Sequence, residues 1–388
     1  MKKEDFLISL CRAYLSSEKI PFDSEVNAQE LFAFSRVHNL NSVCYCALDF
    51  DGSKPSEELL SARQKFTDSF FDGIYLYELQ SNILNEIKSL LEKSQINFIC
   101  FKGTVLRELY PVPESRLMGD LDILIREDDR DKVKRLLTEN GFTCTAENGP
   151  VYNYCKNGVL AEIHTRLNGE YTKGVLSQPF DYAEFDGFEG RLDDSFHLAC
   201  IIAHIAHHFR FYGAGVRMIL DIAVMLKNSS ADMDTTFEYL EACGLSKFAE
   251  VTFSVCYKWF GVGKCFTQDT IETEKYLMQN GAFGSENKNK GTVLARRELE
   301  EGKKPSRFMS RLRLAFPSYE KLRKIDYIKF IDGRPWLTPY AWIYRLFYNL
   351  KNRRSFMADA VESLGSDETK NLAEKQLDYF KEIGLYGK

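Results

Sequence analysis

Two aspartates one residue apart inside an apolar run, DLDILI (Asp120–Ile125), constrain this chain more than any other feature. Such a run reads as a strand, and side chains along a strand alternate between faces. Asp120 and Asp122 therefore project to one face, while Leu121 and Ile123 point into the opposite packing layer. Neighbouring carboxylates repel each other unless a cation lies between them. Magnesium suits the pair because it takes oxygen ligands in octahedral geometry and leaves positions for phosphate oxygens. Alone, the motif is weak, because alternation also turns polar residues outward on ordinary strand edges.

The preceding residues sharpen it. INFICF (Ile96–Phe101) reads as a short buried strand feeding Lys102-Gly103-Thr104, and Thr104 to Tyr110 fits a short helix halted by Pro111 and Pro113. The backbone N–H groups of this turn, with Lys102, can meet a triphosphate at the helix N-terminus. Arg116, four residues before Asp120, offers a planar cationic contact to the same phosphates. A solvated strand-end lysine and a surface salt bridge are the plainer readings of Lys102 and Arg116. Further on, LAEIH puts Ala161 and Ile163 toward the core and Glu162 and His164 on the other side, which makes Glu162 the third carboxylate. Three carboxylates on adjacent strands can hold two metals.

Around this centre the pattern is helical, then mixed, then helical again. Phe6, Leu7, Leu10 and Tyr14 fall at helical spacing, and a longer helix is expected from about Leu59 to Lys93. Glu127 to Asn140 reads as an amphipathic helix closed by Gly141. Phe142–Ala146, Val151–Cys155 and Val159–His164 are further strands, with Asn157-Gly158 as a hairpin turn. Beyond Asp193, Phe196–Phe209 and Val216–Lys227 are strongly apolar helices, and Thr235–Trp259 continues in the same style. The expected fold class is α+β, a small mixed sheet flanked by helices. Its parts are an N-terminal helical region (1–94), a catalytic domain (95–190) and a C-terminal helical region with a basic, aromatic-rich tail (191–388).

A net charge of −5 over 388 residues argues against a chain that coats nucleic acid or membrane through bulk charge. The ten cysteines form no metal-ligand spacing or disulfide framework. No apolar run approaches a membrane span, and the start of the chain lacks the pattern of a signal peptide. The expectation is a reduced, cytoplasmic protein.

The segment FKGTVLRELYPVPESRLMGDLDILI, followed by LAEIHTRL, resembles the uncharacterised nucleotidyltransferase family within the DNA polymerase β-like superfamily. More loosely, FHLACIIAHIAHHF, RMILDI and RLAFPSYEKL resemble it too. The resemblance implies that Asp120, Asp122 and Glu162 are catalytic metal ligands, and that Lys102, Gly103, Thr104 and Arg116 bind the nucleotide. Lys102-Gly103-Thr104 replaces the superfamily's Gly-Ser turn, with Thr104 in place of the phosphate-touching serine. The expected cofactor is Mg2+, with Mn2+ as the alternative. An NTP such as ATP is the co-substrate, and the acceptor is a small molecule, a protein or RNA. A binding protein that keeps the fold without turnover is the competing expectation.

Two further features stand apart. His197, His204 and His208 form one stripe of a helix, with His207 beside them, and read as polar groups bonding to a neighbour rather than as zinc ligands. Asp221 interrupts RMILDIAVML, where a buried carboxylate needs a partner. Arg217, His204 or His208 are the partners in reach. The pair is either purely structural or, together with His164, lines the acceptor side of the cleft. From Lys288 to Lys324, twelve Lys and Arg stand against four Glu. Basic residues with interleaved aromatics describe either a nucleic-acid surface or solvated helices.

Overall fold

Helical spacing closes α1 (Lys3–Leu15) around Phe6, Leu7, Leu10 and Tyr14, all buried. In the computed structural model, residues 2–167, 169–282, 290–300, 302, 316–323, 325–352 and 367–386 are described. They divide into two units: Met1–Phe209 with Gly213–Phe283, and Arg210–Tyr212 with Gly284–Tyr386.

In the first unit, α2 (Ala28–Val37) and α3 (Asn41–Ala47) follow α1, with a short parallel pair of strands, β1 (Ile20–Pro21) and β2 (Leu48–Asp49). The long α4 (Glu57–Lys93) begins at Ser56, whose side chain accepts the Leu59 N–H. Then comes the mixed sheet, from β3 (Phe98–Cys100), β4 (Asp120–Ile125), β5 (Thr143–Asn148), β6 (Val151–Lys156), β7 (Val159–His164), β8 (Ala183–Asp186) and β9 (Glu189–Leu192). Its order is β5-β6-β7-β4-β3-β9-β8. The short helix α5 (Gly103–Leu106) follows β3, and α6 (Arg130–Glu139) follows β4.

Alternation sorts the sheet into two faces. Leu121, Ile123, Ile125, Ala161 and Ile163 pack on Ile83, Ile87 and Leu91 of α4 and on Val133 and Leu137 of α6, forming one dry core. Each such side chain contributes roughly 1.5–3 kcal/mol on burial, so this layer fixes the register. Asp120, Asp122 and Glu162 are left on the opposite face. The Asn157-Gly158 turn has φ of 52° and 81°, the positive values that a two-residue hairpin of this type demands.

The structure adds detail to these expectations. The β8–β9 hairpin was not anticipated, and β9 pairs with β3, so the sheet has seven strands. Thr235–Trp259 is helical as expected, in two pieces: α9 (Met233–Ala242) and α10 (Ser246–Phe260) are separated where Gly244 takes φ 72°. α7 (Asp194–Phe211) and α8 (Val216–Asn228) match their expected spans with small extensions. α11 (Ile271–Asn280) and α12 (Lys290–Glu300) come next, and residues 283–289 between them lie outside the described residues.

In the second unit, Arg296 of α12 is buried, with Nη1 donating to Gln376 Oε1 at 2.9 Å and its guanidinium 4.6 Å from the Phe380 ring centre. A small core forms from Leu322, Ile328, Ile331 and Ala341. Lys303, Lys304, Arg307, Arg311 and Arg313 of the basic tail lie outside the described residues. Among the described residues no helix is long and apolar enough to cross a membrane.

Candidate active site

β4 and β7 run parallel with Asp122 opposite Glu162 and Leu124 opposite His164. The two carboxylates thus meet side by side although they come from separate strands. Asp122 is buried, and its Oδ1 accepts from Lys102 Nζ at 2.7 Å and contacts His164 Nε2 at 3.0 Å. Glu162 Oε2 lies 3.4 Å from the same imidazole nitrogen. Asp122, Glu162 and His164 offer ligand atoms all within 4.8 Å of one another, the one such group among the described residues. Two carboxylates and an imidazole fit a divalent cation. The geometry therefore adds His164 to the expected grouping, and Asp120 stands outside the cluster of three.

The charges differ along the strand. Burial, then Asp122 and Glu162, push the Asp120 carboxyl up to about 6. Burial alone would also raise Asp122, but Lys102 and His164 outweigh it and bring Asp122 down to about 2. Burial works against a charged His164, yet its bonds to Asp122 and Glu162 prevail and raise its pKa. Its Nδ1 is buried with no hydrogen-bond partner among the described residues.

The turn feeding α5 is unusual. Lys102 adopts φ 49° and ψ −130°, a combination that glycine tolerates and a side chain resists at about 1–3 kcal/mol. Its carbonyl accepts from Val105 N–H and Leu106 N–H, and its own N–H donates to His197 Nε2 at 2.9 Å. Thr104 does not reach toward the carboxylate side chains: its Oγ1 accepts the Asp122 N–H at 2.8 Å and ties α5 to β4. Gly103 is required by closeness rather than by φ, since a Cβ there would stand 2.9 Å from Arg116 Nη1 and 3.2 Å from Met118 Sδ.

Arg116 is committed elsewhere than expected. Its Nε and Nη2 donate to the two oxygens of Asp221 at 2.8 and 3.0 Å, a bidentate pair, and Tyr110 O–H donates to Asp221 Oδ1 at 2.6 Å. Both charged partners are buried. Asp221 thus draws its two main partners from the segment before β4. Arg217 instead donates from Nη1 to Leu117 O, and burial with the neighbouring Arg116 lowers its pKa.

Lys102, Gly103, Arg116, Asp120, Asp122, His204, Arg217 and Asp221 line one cavity. Asp221 is thus paired with Arg116 rather than with Arg217, His204 or His208, and this buried pair lines the cavity. His204 and His208 have ring centres 4.5 Å apart, and burial keeps both neutral, His208 pushed down to about 3. A larger cavity of about 750 Å³ lies on the other side of α5, reached by Thr104 and His197. It is lined by none of the three carboxylates, whereas the smaller one is lined by Asp120 and Asp122. His197, expected from the sequence to be a polar group bonding to a neighbour, does so by accepting the Lys102 N–H.

A mixed sheet presents carboxylates on paired strands, beside a strand–turn–helix with a lysine at the turn, an arrangement that fits the nucleotidyltransferase class. The chain belongs to the uncharacterised nucleotidyltransferase family, whose model matches residues 24–261, more than half of the chain. That match takes in the whole seven-stranded sheet and α7 through α10. Among curated proteins no match is found.

Proposed function

We propose that this nucleotidyltransferase moves a nucleoside monophosphate from an NTP to an acceptor hydroxyl at a divalent-metal centre held by Asp122 and Glu162 and completed by Asp120, which projects from the same face of β4. The observation that carries this reading is the β4–β7 register, which sets Asp122 beside Glu162 on the face that also receives Lys102 Nζ. Magnesium, when bound, neutralises the leaving pyrophosphate and acidifies the acceptor hydroxyl.

The protein groups divide the remaining work. The acceptor oxygen forms a bond to the α-phosphorus, the bond from that phosphorus to the β-phosphate oxygen breaks, and pyrophosphate leaves. Glu162 accepts the hydroxyl proton. Lys102 lies at the strand end, where its ammonium stabilises charge gathering on the phosphates. Arg116 acts less directly, its Nη1 packed against Gly103 while Asp221 holds the rest of the guanidinium. A small molecule, a protein side chain and RNA all present the required hydroxyl, and the three are tested as acceptors in parallel.

The test is pyrophosphate release from each of four NTPs with mixed acceptors, with and without Mg2+, for wild type, Glu162→Gln and His164→Gln. Wild type should release pyrophosphate only with metal. Glu162→Gln should lose most transfer yet bind Mg-NTP, because Asp120 and Asp122 still hold the metal. His164→Gln should keep measurable turnover. Release unaffected by Glu162→Gln would overturn the assignment. Nucleotide binding without release from any NTP would leave a binding protein on this fold.

A further inference from the structure

Lys102 is held at three points by three elements. Its ammonium is on Asp122 of β4, its carbonyl accepts from Val105 and Leu106 of the following helix, and its N–H donates to His197 Nε2 of α7. The first two contacts are compatible with several backbone conformations. The third fixes the direction of the N–H, and so constrains φ at a residue whose positive value a side chain resists. His197 is 3% exposed. With Nε2 as acceptor, its proton resides on Nδ1.

We propose that His197 is a positioning residue: by accepting the Lys102 N–H it holds the Lys102-Gly103-Thr104 turn in the conformation that aims the ammonium at the carboxylates and phosphates. The functional consequence rests on the transfer reading above, whereas the hydrogen bond and its effect on the turn do not. Burial pushes His197 down to about 4, so it stays neutral and able to accept at physiological pH. Because Nε2 already receives an N–H, its lone pair is not offered to a metal. A glycine at this position would reach the same φ unaided. The chain instead combines a lysine with an acceptor from a helix ninety-five positions further on.

A bland role, filling core volume, predicts different outcomes. His197→Leu fills the space without an acceptor, and His197→Gln restores a side-chain acceptor. NTP affinity should fall roughly tenfold in His197→Leu, the scale of one hydrogen bond, with nucleoside affinity unchanged, and recover largely in His197→Gln. In a Lys102→Gly background, where φ is relaxed, His197→Leu should change NTP affinity little. Equal losses in the Leu and Gln variants, or a full loss in the glycine background, would overturn the proposal. Nitrogen NMR on the wild-type chain gives a readout independent of folding of the variants and of turnover. A scalar coupling between Lys102 amide nitrogen and His197 Nε2 should be present, and its absence would also overturn the proposal. If the coupling is present but no NTP binds, the transfer reading fails while the turn assignment stands.

Discussion

Asp120 and Asp122 look equivalent in the sequence and are opposites in the fold. Asp120 is raised to about 6 by burial and its carboxylate neighbours, so its contribution to stability belongs to the protonated form. That contribution is fully present below about pH 4 and is lost as pH rises through about 6. Asp122, lowered to about 2 chiefly by Lys102 and His164 against the effect of burial, contributes above about pH 4 and loses it as pH falls toward 2. Without divalent metal, Asp120→Asn should melt with wild type near pH 4 and above it at pH 7.5. Asp122→Asn should be destabilised at neutral pH by roughly 3 kcal/mol, because the part-buried Lys102 ammonium loses its anion. Thermal melts from pH 4 to 8 in EDTA test both, and identical shifts for the two variants would refute the asymmetry. The sequence located both residues and their common face. It could not reveal the asymmetry, which depends on which cations the tertiary structure brings to one oxygen.

At the scale of elements, the segment before β4 and helix α8 are joined by one buried charge cluster. Asp221 accepts from Arg116 twice and from Tyr110, with Arg217 nearby. Asp221→Ala should therefore cost about 3–5 kcal/mol, leaving two buried guanidinium groups facing each other. Urea unfolding measures this, and a loss below about 1 kcal/mol would show that the cluster is not structural. Much of this level was legible. Strong alternation in DLDILI and LAEIH and the Asn157-Gly158 turn gave strands with correct boundaries or nearly so. The β8–β9 hairpin was missed because Glu184, Phe185 and Asp186 are exposed and show no buried periodicity. The Asp186-Gly187 pair, with Gly187 at φ 61°, was the available turn signal. Gly244 likewise divides α9 from α10 inside a run whose hydrophobic pattern barely changes. The partner of Asp221 was misjudged because helical spacing favours Arg217, whereas Arg116 is brought to it only by folding.

At the scale of the whole molecule, the basic segment shows that a cation in the sequence is not always a surface cation. Arg296 belongs to the basic segment yet is a core residue of the second unit, bonded to Gln376 and stacked on Phe380. A count of cations along a chain does not distinguish a snorkelling or buried guanidinium from one offered to a polyanion. The register of β4 on β7 has a kinetic consequence. Asp122 and Glu162 become neighbours only after β5 and β6 have been laid down between them in the chain and the parallel ladder has closed. Such non-local pairing forms slowly, after local helices. Before that ladder closes, the proposed ligands are not yet together, so a divalent cation held by them would bind the finished sheet alone. With the proposed metal role, millimolar Mg2+ or Mn2+ should slow unfolding several-fold and leave the refolding rate nearly unchanged, as expected for an interaction made after the transition state. Stopped-flow unfolding and refolding with and without EDTA would read this directly. A cation that accelerated refolding instead would mean that the carboxylates meet early, before the ladder that holds them in the native chain.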